Sequence, residues 1–213
     1  MKSEWQLFCF QLKKMKFCFL GSVLYVYLIV FTLQFGMIQQ YEKIESMKML
    51  FFGSAQKYLP ILGIVWGIWL NRIYFEDHIA EIIYATDRLP KIRFNFYFYI
   101  FLQLLLVPMY VWYDWLYQDK SEILRLILQM AAIQFGLFFG GSLFCSGILA
   151  AGATICLTML MQYIWDPTAF WNYFQLTVSA ENITNAQWLF TGMSIVVFLM
   201  GSIVLERIRF QFS

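Results

Sequence analysis

From Ile123 to Trp165 the chain stays apolar far beyond the length of one membrane crossing, and this run constrains the fold more than any other feature. A crossing helix takes about 20 apolar residues. The run must therefore be divided, and the glycines and serines from Gly140 to Gly147 offer the break. Four further apolar runs begin near Phe17, Leu59, Phe94 and Trp188. A soluble globule is excluded by charge: only 13% of residues are Asp, Glu, Lys or Arg and 61% are hydrophobic, where soluble domains carry about 25% charge. The sequence thus predicts an all-α integral membrane protein with one transmembrane domain over residues 1–213. Its six spans fall near 17–35, 59–75, 94–115, 123–143, 147–165 and 188–205. The first lacks a small-residue cleavage site and is expected to stay as an anchor.

Six crossings leave both termini on one side, and basic residues choose that side. With the N-terminus inside, the inner segments hold Lys2, Lys13, Lys14, Lys16, Arg72, Arg88, Lys91, Arg93, Arg207 and Arg209. The outer segments hold only Lys43, Lys48, Lys57, Lys120 and Arg125. Both termini are expected in the cytosol. A net charge of +2 gives no reason to expect nucleic acid as a partner.

Several segments are neither span nor plain loop. Trp5 to Phe17 interleaves aromatic and aliphatic residues with Gln6, Gln11, Lys13 and Lys14, which suits a helix lying along the inner leaflet or a positive flank of the first span. Glu76 to Arg93 sets Ile79, Ile82 and Ile83 on one helical stripe, opens with Glu76 and Asp77, and is closed by Pro90. It predicts a short cytosolic helix whose isoleucines dock on a protein or rest on the membrane surface. Between the last two spans, Phe170, Trp171, Tyr173 and Phe174 form an outer aromatic hairpin, either an interface belt or a half-inserted turn. Gly63 and Gly67 in the second span, and Gly147, Ala151 and Gly152 in the fifth, let helices approach closely. They mark a seam between two chains or packing of span two on span five within one.

The chemistry of a membrane enzyme is missing. There is no G-x-x-x-x-G-K-[ST] phosphate loop and no H-E-x-x-H, and the single histidine, His78, cannot make a multi-histidine metal site. No catalytic residue, metal or resident cofactor is expected. Cys9, Cys18, Cys145 and Cys156 are widely spaced in apolar stretches and read as packing residues. The span interiors are read as nearly free of ionisable groups, which disfavours a proton relay or a membrane protease.

Taken together, the layout resembles an ABC-2-type transporter permease, the membrane subunit of an ABC exporter, in a compact form similar to those of Gram-positive peptide-export or immunity operons. The local likeness lies in Phe75-Glu76-Asp77 through Leu89-Pro90-Lys91-Ile92-Arg93, similar to the family's coupling segment, although Ala80-Glu81 stands near the place of the usual Gly-Thr. The resemblance implies a bacterial plasma-membrane protein that exports a peptide or an amphiphilic or hydrophobic cargo. It implies a second permease chain as partner, and a separate cytosolic ATPase that holds the ATP and Mg. Glu76, Asp77, Ile79, Glu81, Ile82, Ile83, Asp87 and Arg88 would dock on that ATPase. The alternatives are a substrate-binding membrane module of the vitamin-capturing type and a non-transporting immunity or assembly factor.

Overall fold

The computed structural model describes residues 13, 16–40, 44–71, 92–144, 152 and 185–212. These residues are helical apart from the two that join Tyr117 to Lys120. The elements are α1 (Lys16–Leu24), a π-helical stretch (Tyr25–Val30), α2 (Phe31–Gln40), α3 (Ile44–Asn71), α4 (Ile92–Tyr117), α5 (Lys120–Phe144) and α6 (Asn185–Phe212). Among the described residues four stretches are long and apolar enough to cross a membrane: Phe19–Gln39, Ile92–Tyr117, Lys120–Phe144 and Thr191–Ile208. They match the first, third, fourth and sixth expected spans. The fifth, near 147–165, lies outside the described residues except for Gly152, which is helical.

The second span departs from expectation. Helix α3 begins at Ile44, well before the Leu59 start read from hydropathy, so only three residues separate it from the end of α2 at Gln40. Its first quarter, Ile-Glu-Ser-Met-Lys-Met-Leu, holds the good helix formers Glu45, Met47, Lys48, Met49 and Leu50, two of them charged, and helix propensity does not require apolarity. Ser54, Gln56, Lys57 and Asn71 dilute α3, which is not among the four apolar crossings.

Helices successive in the chain alternate in direction from the first span to α5. Against the first span, α3 is antiparallel: Ser22 meets Trp66, Tyr25 meets Tyr58 and Gln34 meets Ser54. Helix α4 runs parallel to that span, with Phe19 beside Phe101, Phe31 beside Trp112 and Gln34 bonded to Tyr113. One end of the bundle therefore holds Lys16, Asn71 and Ile92, and the other holds the tight α4–α5 connection. We call them the Lys16 end and the hairpin end.

Two residues make that connection. Gln118 takes a left-handed backbone (φ 51°), and its N–H bonds Asp114 O at 2.9 Å, closing α4. Asp119 then caps α5 by accepting from the N–H of Ser121 (3.1 Å) and of Glu122 (3.4 Å). It also pairs with Lys48 of α3 at 2.5 Å. Partial burial pushes the Asp119 carboxyl up, but the hydrogen bonds from Lys48, Ser121 and Glu122, with the Lys48 charge, outweigh it and hold the group below the ordinary carboxylate value.

The bundle is apolar outside and partly polar inside. Leu104, Val111, Trp115 and Val196 are exposed, while Gln34, Asn71, Asn95, Glu122, Arg125, Gln134 and Glu206 are buried. In water that inversion would be costly; in lipid the outer side chains meet a solvent as apolar as themselves. The described chain is thus an all-helical protein with the make-up of a helical membrane protein. Helix packing is close at the glycines. A Cβ on Gly67 would stand 2.6 Å from Leu137 Cδ1, and one on Gly201 2.5 Å from the Phe139 ring.

Candidate functional site

Buried polarity in this bundle falls into two zones, one at each end. At the Lys16 end, α5 is gripped from both sides. Asn71, the last described residue of α3, donates through Nδ2 to Leu137 O at 2.8 Å. Asn95, one turn into α4, accepts from Gln134 Nε2 at its side-chain oxygen (2.9 Å) and its carbonyl (3.3 Å). Asn71, Asn95 and Gln134 are at most 1% exposed. Amide bonds between membrane helices average about 0.6 kcal/mol and reach about 1.7. That is too little to hold a bundle together but enough to fix register. Both flanks of residues 72–91 are therefore bolted to one turn and a half of α5. Gly141 makes the fit possible, since a Cβ there would lie 2.7 Å from Asn71 Cγ.

At the hairpin end the polar groups are stronger. Tyr113 Oη donates to Gln34 Oε1 (2.8 Å), Gln34 Nε2 to Ser54 Oγ (3.2 Å), and Ser54 Oγ to Phe51 O (2.7 Å), tying α4, α2 and α3. Around this chain stand the rings of Phe31, Phe51, Phe52, Trp112 and Tyr117. Beside it in α5 lies a buried ion pair. Arg125 Nη1 donates to both carboxylate oxygens of Glu122, at 3.1 and 3.2 Å, with side-chain exposures of 0% and 4%.

Between the two zones the helices lose regularity. The π-helical stretch sends Tyr25 Oη to Tyr58 O (3.1 Å) and Tyr27 Oη to Leu105 O (2.6 Å). Those carbonyls lie just before Pro60 and Pro108, each inside its helix. Proline removes one helical hydrogen bond and kinks its helix, and π stretches recur at functional sites. A π-helical stretch and two helix-interior prolines thus fall on three neighbouring helices in the same region.

The glycine pair of span two has a different role from the one expected. Gly63 faces Ile133 and Met130 O, and Gly67 faces Leu137, all on α5 of the same chain. Both glycines are buried in this packing of α3 against span four. Gly152 is exposed, and a Cβ there would meet nothing within 4 Å. Gly147 and Ala151, the docking residues Glu76, Asp77, Ile79, Glu81, Ile82, Ile83, Asp87 and Arg88, and the hairpin aromatics Phe170, Trp171, Tyr173 and Phe174 all lie outside the described residues.

The expectation of nearly uncharged span interiors is corrected by Glu122, Arg125 and Glu206, each buried within a helix long enough to cross a membrane. Arg125, expected among the outer segments, lies buried in α5. Its signal was available in the sequence: an acid and a base at i, i+3 within an apolar run neutralise each other and can be buried together. Among the described residues no three of His, Cys, Asp and Glu are grouped as a metal site would need. Comparison with protein-family models, with curated proteins and with solved structures gives no match.

Proposed function

We propose that this chain is the membrane-spanning permease subunit of a transporter whose energy comes from a separate cytosolic ATPase, most simply an ABC exporter. The observation that carries the reading is the double clamp on α5. Asn71 and Asn95 anchor the two flanks of residues 72–91 to neighbouring turns of one helix. A partner that pushes on Ile79, Ile82 and Ile83 would thereby move α5, and α5 carries the buried Glu122–Arg125 pair at its other end. An amphipathic segment wired in this way suits a coupling element better than a passive loop. The regularity lost near Tyr25–Val30, Pro60 and Pro108 supplies places at which the helices can bend as the push arrives.

Six crossings agree with the packing of α6. Gly136 sits against Phe198 and Phe139 against Gly201, pairs that climb together as they do in helices running the same way. Phe144 and Asn185 then stand at opposite ends of the bundle, as a fifth span near 147–165 requires. In this reading the Lys16 end is cytosolic, both termini lie inside, and the cargo is amphiphilic or a peptide. A second permease chain completes the path, meeting this one at the face of Gly147, Ala151 and Gly152 and leaving Gly63 and Gly67 to their internal packing.

Orientation is tested by thiol labelling of intact cells in a cysteine-free background. Ser121→Cys at the hairpin end is expected to react with an impermeant reagent added outside, and Thr86→Cys is not; the reverse pattern would place the 72–91 segment away from any cytosolic ATPase. Partnership is tested by purifying the tagged full chain from its own membranes in mild detergent. A soluble ATPase with a phosphate-binding loop is expected in a fixed ratio. Recovery of the chain without one, in detergents that preserve its thermal transition, would remove the ATPase from the reading.

A further inference from the structure

We infer that Arg125 is a binding site for an oxyanion, the phosphate or carboxylate head of an amphiphile, held near the hairpin end of the bundle. The inference goes beyond the ATPase reading and stands or falls without it. Arg125 is fully buried, yet Glu122 occupies only one of its nitrogens: both carboxylate oxygens lie on Nη1. Nε and Nη2 have no hydrogen-bond partner among the described residues. Those two nitrogens form the edge of the guanidinium from which two parallel N–H bonds project, the edge that matches a carboxylate or phosphate in two-point contact. Here the carboxylate is held at the opposite corner and the fork is kept.

The surroundings favour an anion. Glu122 balances the charge of Arg125, and Lys48 balances Asp119, so the ion pairs leave no excess negative charge among these four groups. Arg125 stands close to the start of α5, where the helix dipole contributes partial positive charge. Leaving charged donors buried and unsatisfied is unfavourable, so an oxyanion that meets them is strongly preferred over the site left to itself. A free amphiphile and a lipid headgroup carry the same chemistry, and the two sources are separable by experiment.

The full chain is reconstituted in nanodiscs of phosphatidylcholine, and its thermal transition is followed by tryptophan fluorescence with dodecyl phosphate, with dodecanol, and with neither. Dodecyl phosphate at about a hundred-fold excess over Kd is expected to raise Tm by about 5–10 °C, with no rise from dodecanol. The same rise in discs containing phosphatidylglycerol, without added phosphate, would identify the headgroup as a source. Arg125→Gln alone removes the cation beside the buried Glu122 carboxylate and could prevent folding. The paired variant Glu122→Gln/Arg125→Gln keeps the site neutral, and it is expected to fold and to lose both responses, whereas Arg125→Lys keeps the charge without the fork and retains only part of them. Two results overturn the inference: no response of the wild-type chain in either lipid, or an undiminished response in the paired variant.

Discussion

Gly141→Ala is expected to lower the stability of the purified chain by about 2–5 kcal/mol, the sum of overpacking and of a stranded buried amide. A Cβ at this position would lie 2.7 Å from Asn71 Cγ and 2.8 Å from both atoms of its amide head. Asn71 is fully buried and has little room to yield, so it must give up its bond to Leu137 O. Other glycines behave differently. Gly192 would place a Cβ in open space, so Gly192→Ala is expected to be neutral or to stabilise α6 by about 0.5–1 kcal/mol, because alanine is the better helix former. Thermal unfolding of both variants in one lipid distinguishes a packing contact from a general intolerance of change. Equal Tm values for Gly141→Ala and wild type would show that the clamp on α5 is slack. A chain that still folds with Asn71 displaced has one of its two anchors for the 72–91 segment undone, and if it works as the proposed permease its transport is expected to fall more than its abundance.

Much of the scaffold was legible because apolar length and chain punctuation agree. Pro90 lies just before α4, and Gln118–Asp119 divide α4 from α5, so the third and fourth spans fall within a few residues of their expected limits. Helix α3 was harder to read. Glu45, Lys48 and Lys57 lower its hydropathy without lowering its helix propensity, and a hydropathy window registers only the first. The π-helical stretch has no composition of its own: Tyr-Val-Tyr-Leu-Ile-Val would serve equally in a regular helix, and its irregularity is tied to Tyr58 and Leu105, far away in sequence. The partners of Gly63 and Gly67 were likewise illegible, because a small-residue pair states that something comes close and not what. The buried ion pair was overlooked for a different reason. Averaging over an apolar run hides one acid and one base, and only their i, i+3 spacing tells that they travel as a neutral unit.

The central claim is that residues 72–91 couple this bundle to an ATPase, and Ile82→Asp/Ile83→Asp bears on it most directly. Both residues follow Ile79 at the i, i+3, i+4 spacing of a helical stripe. In a docking groove the two new carboxylates would be desolvated without partners, at a cost of several kcal/mol, enough to abolish a complex of ordinary affinity. On a membrane-facing or solvated loop the same change would cost the bundle little. The measurement is the ATPase content of the affinity-purified chain, wild type beside the double variant, with the thermal transition of each recorded in the same detergent. The account predicts a stoichiometric ATPase on the wild type, its loss from the double variant, and matching transitions for the two. An ATPase that remains at full stoichiometry on the double variant would contradict it.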